Sequence, residues 1–188
     1  MMAKYPFLSA HLLAQGFQVY TREMVCGSIG CRHEANRFVD VAAQKQGFYY
    51  AFEYKSNGDH ILRALPQVEN YSQSFDYVII VAELPRTEIS LDLRRGVRIK
   101  EFLRLGAGIW TVKFDKMEKG DPPFTWIESI NPQFQVLIEP SLQSPNPKNK
   151  EWIRLKFEHY LKRMPLLKHQ LSENQRELTD NWKDSDRS

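Results

Sequence analysis

Asp40 is followed thirteen positions later by Glu53-Tyr54-Lys55, two acids and a lysine in a spacing that suits divalent-metal chemistry. Residues 38–44 (FVDVAAQ) and 48–55 (FYYAFEYK) are rich in Val, Phe and Tyr, the composition of strands, with Gln46-Gly47 between them where a hairpin turns. A two-residue loop there pairs Lys45 with Phe48, and counting outward sets Asp40 opposite Glu53. Facing like charges on an antiparallel pair repel, so apposed carboxylates call for a cation between them. Side chains two apart leave the same face of a strand, which aims Lys55 alongside Glu53 and sends Phe52 and Tyr54 to the other side.

Hard oxygen donors of this kind suit Mg²⁺ or Mn²⁺, which keep several waters and accept one or two carboxylates together with phosphate oxygens. A retained water of lowered pKa is a nucleophile, and a nearby ammonium can orient it or stabilise the charge that develops on phosphorus. The chemistry expected is phosphodiester hydrolysis, with Asp40 and Glu53 on the metal and Lys55 assisting the attacking water. The competing reading makes Asp40 and Lys55 solvent-facing residues of an edge hairpin. Against it, the acids lie inside Val- and aromatic-rich runs, where an unpaired charge is costly.

Val39-Asp40, Glu53-Tyr54-Lys55 and then Gln67-Val68-Glu69-Asn70-Tyr71 give the chain a pattern that resembles the PD-(D/E)XK nuclease superfamily. The third element resembles the Gln-x-x-x-Tyr signature of the subset related to recombination-helicase nucleases. The resemblance covers roughly residues 5 to 115. It implies metal ligation by Asp40, Glu53 and the Tyr54 backbone carbonyl, and substrate positioning by Gln67 and Tyr71. Gln67 and Tyr71 are four apart and share one face of a helix. There are two departures: Val39 stands where the family name has Pro, and Tyr5 to Gln15 lacks the acid that many members carry on the first helix. Glu23, in FQVYTREMV, is the nearest acid that can serve as a further ligand, and a surface strand position is its competing reading.

The elements that must position these residues can be read independently of the family. Phe7, Leu8, His11 and Leu12 approach helical spacing and Gly16 supplies a stop, ahead of a strand over 17–25. After the hairpin, residues 59–74 read as a helix that Pro66 kinks or starts late, and 77–82 (YVIIVA) suits a strand buried on both faces. Residues 91–105 form a basic amphipathic helix capped by Gly106, and 108–114 (GIWTVKF) a further strand. The order is helix and strands alternating in the manner of an α/β domain. The expected fold is a restriction-endonuclease-like mixed β-sheet flanked by helices, with a C-terminal Pro-rich and helical extension.

The 188 residues are 42% hydrophobic, enough for one domain with a core and an extension. The expected boundaries are a nuclease core over 1–118, an extension over 119–175 and a disordered tail over 176–188. Within the extension, 134–138 reads as an edge strand, 144–149 as a linker and 151–164 as a helix. No stretch is long and apolar enough for a membrane span, and the N-terminus lacks the order of a secretory signal, so a cytoplasmic protein is expected. Cys26 and Cys31, the only two cysteines, form with His33 a C-x4-C-x-H pattern that fits no common zinc module, and free thiols are the favoured reading.

The net charge of +3 does not itself demand nucleic acid, but its distribution is uneven. Arg94, Arg95, Arg98, Lys100 and Arg104 crowd one helix, and Arg94 and Arg98 are candidate phosphate contacts. Basic residues also crowd 148–168, interleaved with Trp152, Phe157 and Tyr160, where a solvated basic face over a buried apolar one is the slightly favoured reading against base stacking. The reading that follows is a metal-dependent deoxyribonuclease, with DNA as partner. A separate motor or targeting protein is a further expected partner, because no glycine-rich phosphate cradle is present. The alternatives are a structure-selective, junction-resolving nuclease acting as a homodimer, and a non-catalytic nucleic-acid- or protein-binding subunit.

Overall fold

In the computed structural model the described residues are 5–20, 24–25, 38–56, 59–84, 97–115 and 131–163. Glu23, Arg94, Cys26, Cys31, His33 and the tail over 176–188 lie outside them, as do the side chain of Arg98 and residues 91–96 of the basic helix.

The chain begins with α1 (Pro6–Ala14), which is closed by Gly16 in the left-handed region at φ 80°. Strands β1 (Gln18–Tyr20) and β2 (Met24–Val25) follow. The run read as one strand from 38 to 44 is two: β3 (Phe38–Val39) pairs with β2, and β4 (Val41–Lys45) pairs with β1 and with β5 (Phe48–Lys55). Asp40 sits at the break. The β4–β5 register is the expected one, with Lys45 opposite Phe48 and Val41 opposite Phe52. Gln46 and Gly47 both have positive φ, 52° and 83°, the backbone that a two-residue hairpin loop requires.

A 3-10 turn (Ile61–Ala64) leads into α2 (Leu65–Ser72), so Pro66 marks a late start, where its missing N–H costs no hydrogen bond. Next come β6 (Tyr77–Leu84), α3 (Val97–Arg104), β7 (Gly108–Asp115) and β8 (Asn131–Ile138). The main sheet has six strands in the order β1-β4-β5-β6-β7-β8. β5, β6 and β7 are parallel and the outer pairs antiparallel, so the sheet is mixed. This is the restriction-endonuclease-like arrangement.

Alternation divides the sheet into two buried faces. Phe52, Ile79, Val81, Trp110 and Val112 join Leu8 and Leu12 of α1 in one core. Each fully buried Leu contributes about 2 kcal/mol. On the opposite face α2 packs on β6 and α3, burying Val68, Tyr71, Ile80 and Phe102. Glu53 and Lys55 project to that second face, because they alternate with Phe52.

The sheet continues past the boundary expected at 118, since β8 hydrogen-bonds along β7 and the first compact unit runs to Ile153. The stretch read as a linker over 144–149 is tied down instead: Gln143 N donates to Asp76 O, Asn146 N to Gln73 O, and Lys150 Nζ to Asp76 Oδ1 at 2.6 Å. Residues 147–163 are helical. The second unit starts at Arg154; in its described part Arg154 pairs with Glu158, while Phe157 and Tyr160 are buried and so cannot stack on bases. Among the described residues no helix is long and apolar enough to cross a membrane.

Candidate active site

The site forms where β4 leaves β5. Glu53, Tyr54 and Lys55 continue along β6, while on the other side the chain turns at Asp40, one step beyond the last paired residues Val41 and Phe52. Departure of a strand beside the C-terminal end of parallel strands opens the crevice that α/β sheets use for ligands. Asp40 is held to this end of β5 by its own carboxylate, whose Oδ2 accepts the Tyr54 N–H at 3.0 Å.

Glu53 is the hub. Its Oε1 accepts from Lys55 Nζ and from Gln67 Nε2, each at 2.7 Å, and Lys55 Nζ also donates to Gln67 Oε1 at 2.8 Å. Gln67 therefore clamps the acid and the ammonium together, which a side-chain amide can do because it offers a donor and an acceptor side by side. Both Glu53 and Lys55 are buried, at 4% and 9% exposure, so the pair is shielded from solvent. On the other oxygen, Tyr71 Oη lies 2.9 Å from Glu53 Oε2 and 2.8 Å from the Phe38 carbonyl. A phenol has one proton for these two acceptors. Donating to one leaves the other without it, so Oε2 is the less securely bonded oxygen of Glu53.

The electrostatics run the same way. Burial, and then the charge of Asp40, push the Glu53 carboxyl above the usual carboxylate range, while Lys55 and the hydrogen bonds from Lys55 and Tyr71 pull it back. A buried acid with a like charge beside it is a poor arrangement for stability alone, and it is favourable once a cation is added. Oε1 already accepts two donors, so Oε2 is the oxygen of Glu53 left to face a cation. Among the described residues no group of three or more His, Cys, Asp or Glu gathers to cage an ion. The two carboxylates brought together here, Asp40 and Glu53, are hard oxygen donors of the kind that suits Mg²⁺ or Mn²⁺ with retained waters.

Five of the expected residues, Asp40, Glu53, Lys55, Gln67 and Tyr71, are brought to this one place. Tyr71 has no exposed surface, so it orients Glu53 and does not reach a substrate. The Tyr54 side chain turns away, tilted against Tyr5 and edge-on to Phe7, and donates to Glu83 Oε2 at 2.7 Å. Two contributors escaped the sequence reading. The Phe38 carbonyl is a backbone group without a sequence signal. Asp59 had one, since Ser56-Asn57-Gly58-Asp59 has turn-forming composition: Asp59 Oδ2 accepts from Ser56 N at 3.0 Å and Ser56 Oγ at 2.7 Å, fixing the chain just after Lys55.

Residues 8–112 match the protein family described as Bacteriophage P4 protein cII. No curated protein matches the sequence. Among solved structures, an XisH family protein from Nostoc punctiforme is similar at a TM-score of 0.45 and 16% identity, covering 58% of this chain and 89% of that one. A fdxN element excision controlling factor protein from Anabaena variabilis gives 0.45 and 16%, covering 58% and 88%. Pyrococcus furiosus SfsA in complex with Ca²⁺ gives 0.40 and 14%, covering 72% and 60%.

Proposed function

The chain belongs to the Bacteriophage P4 protein cII family, and from its site geometry we propose that it is a divalent-metal-dependent nuclease of the PD-(D/E)XK superfamily that hydrolyses DNA phosphodiester bonds. The observation that carries this reading is the cluster at Glu53: a buried carboxyl pushed up by burial and by Asp40, with Lys55 held beside it by Gln67. A purely structural ion pair has no use for the second acid.

Asp40 and Glu53 would hold the cation, with the Tyr54 carbonyl as a third donor and Glu23 as a further candidate. When bound, Mg²⁺ or Mn²⁺ supplies a water of lowered pKa and neutralises charge on the phosphate. The residues of the chain do the rest. Two of the three Lys55 ammonium protons are donated to Glu53 and Gln67, which leaves the third to a water or a phosphate oxygen. Holding the ammonium in place beforehand removes the cost of ordering it during the reaction. Gln67 on Oε1 and Tyr71 on Oε2 keep Glu53 in one rotamer. DNA is the proposed substrate and partner.

The test is cleavage of supercoiled, linear duplex and single-stranded DNA with Mg²⁺, Mn²⁺ or EDTA, comparing wild type with Asp40→Ala and Lys55→Ala. Metal-dependent cutting lost in both variants is expected. DNA that is bound yet uncut with every metal, identically in all three proteins, would overturn the proposal.

A further inference from the structure

Beside the site is an open groove of about 550 Å³ lined by His60, Leu62, Arg63 and Pro66. It lies on the 3-10 turn and the start of α2, between the Ser56–Asp59 turn that fixes the end of β5 and Gln67 that clamps Lys55. His60 and Arg63 are exposed, and the His60 carbonyl accepts the Arg63 N–H at 3.0 Å, which sets the two basic side chains on one short rigid turn. No acid is among the described lining residues. Leu62 and Pro66 supply an apolar floor. Its size falls within the range of pockets that take a small organic group.

A cation, an imidazole and an apolar floor together match a phosphate with its attached sugar. Pro66 adjoins Gln67, and Arg63 precedes Gln67 by four residues across the junction of the 3-10 turn and α2. We infer that this groove holds the sugar-phosphate unit next to the one being cut, with Arg63 as its phosphate contact and His60 in support. A strand whose scissile phosphate lies at Asp40, Glu53 and Lys55 then passes over Gln67 and seats its neighbouring phosphate at Arg63. The assignment rests on the nuclease reading for the direction of the strand. It makes Arg63 a binding residue that reads the backbone and not the bases.

The experiment is binding of a fluorescein-labelled 20-nucleotide single strand, and of the matching duplex, to the full chain in EDTA, followed by anisotropy over a salt series. Wild type, Arg63→Ala, Arg63→Lys and His60→Ala are compared, and cleavage is then measured with Mg²⁺ and Mn²⁺. Losing one phosphate contact lowers the slope of log K against log salt by about 0.9 for duplex or about 0.7 for a single strand. Arg63→Ala is expected to show that drop, equally for unrelated sequences, and Arg63→Lys to restore it. A purely structural Arg63 would not change the slope. If wild type binds and cuts DNA while Arg63→Ala keeps its affinity and slope, the groove assignment is wrong and the nuclease reading stands. If the slope falls in Arg63→Ala but wild type cuts nothing with either metal, the groove stands as a phosphate site and the nuclease reading fails. Absence of DNA binding by wild type overturns the groove.

Discussion

Two buried carboxylates sit near opposite ends of β5, and they are used differently. At the N-terminal end, Asp76 is 2% exposed; its Oδ2 accepts the Tyr49 N–H at 2.9 Å, its Oδ1 accepts Lys150 Nζ, and its own N–H donates to the Tyr49 carbonyl at 2.9 Å. Each of these bonds joins separate pieces of chain: β5, the start of β6 and the helix that begins at 147. At the C-terminal end, Glu53 is 4% exposed and accepts from three donors, yet Asp40 is close enough to push its carboxyl up. Asp76, with two donors and one opposite charge, is an anchor. Glu53 has its opposite charge too, in Lys55 at 2.7 Å, and the like charge of Asp40 beside it is what sets it apart; in the proposed function a cation would offset that charge.

That contrast can be broken most forcefully at the chemical end. Lys55→Ala should lower the cleavage rate per folded molecule by about 100- to 1,000-fold, the usual loss for one preorganised donor, and should also lower the urea unfolding midpoint, since buried Glu53 loses its opposite charge. A variant that unfolds easily but retains its specific activity would assign Lys55 to the anchor class instead. At the other end stability alone should fall. Asp76→Ala should cost about 2–3 kcal/mol in urea unfolding, since the buried Tyr49 N–H loses its acceptor and Lys150 its partner, with no change in activity per folded molecule. Lys150 is 39% exposed at its side chain, so Lys150→Ala should cost less than Asp76→Ala.

The two ends were not equally legible in the sequence. Glu53 and Lys55 stand two apart in a strand-like run, and Gln46-Gly47 fixes the hairpin register because both residues must take positive φ, so the approach of Asp40 follows from counting. Gln67 and Tyr71 are visible as one face of a helix. Their targets are not visible, because α2 docks on the sheet through contacts 14 and 18 residues apart in the chain. Asp76 escaped entirely: an acid before an apolar strand looks like an ordinary turn residue, and its lysine is 74 residues away. The same distance hid the pinning of residues 141–150. Their Pro- and Asn-rich composition reads as a linker, while the bonds from Gln143 and Asn146 to Asp76 and Gln73 are backbone bonds that any residue but proline could donate. The split at Asp40 was missed for a related reason. Strand propensity carries through FVDV, and only the divergence of β3 toward β2 ends the ladder.

A smaller effect sharpens the comparison within the site. Gln67→Ala removes the clamp but neither charge, and should cost about ten-fold in cleavage, as expected when a residue acts by orienting others. Gln67→Glu should fail to rescue it, since a third carboxylate loses the donor that Glu53 Oε1 accepts.

The smallest effect carries the most specific signature. Because the Glu53 carboxyl is pushed up, folding favours its protonated form. Its contribution to stability is therefore fully present below the ordinary carboxylate range and is lost as pH rises through the raised value in the folded protein. Glu53→Gln keeps the shape and removes the charge, so in EDTA it should match wild type near pH 4 and be the more stable of the two at pH 8. An anchoring acid would give the opposite trend, with the variant falling behind as pH rises. Added Mg²⁺ should then reverse the order, since a cation that binds only the folded state stabilises it by mass action, and wild type keeps both carboxylates for it. The proton and the cation compete for Glu53, so that Mg²⁺-dependent gain should grow from pH 5 to pH 8 in wild type and be flat in Glu53→Gln. Thermal unfolding over this pH range, with and without Mg²⁺, separates a carboxylate held ready for a metal from one that merely closes a salt bridge.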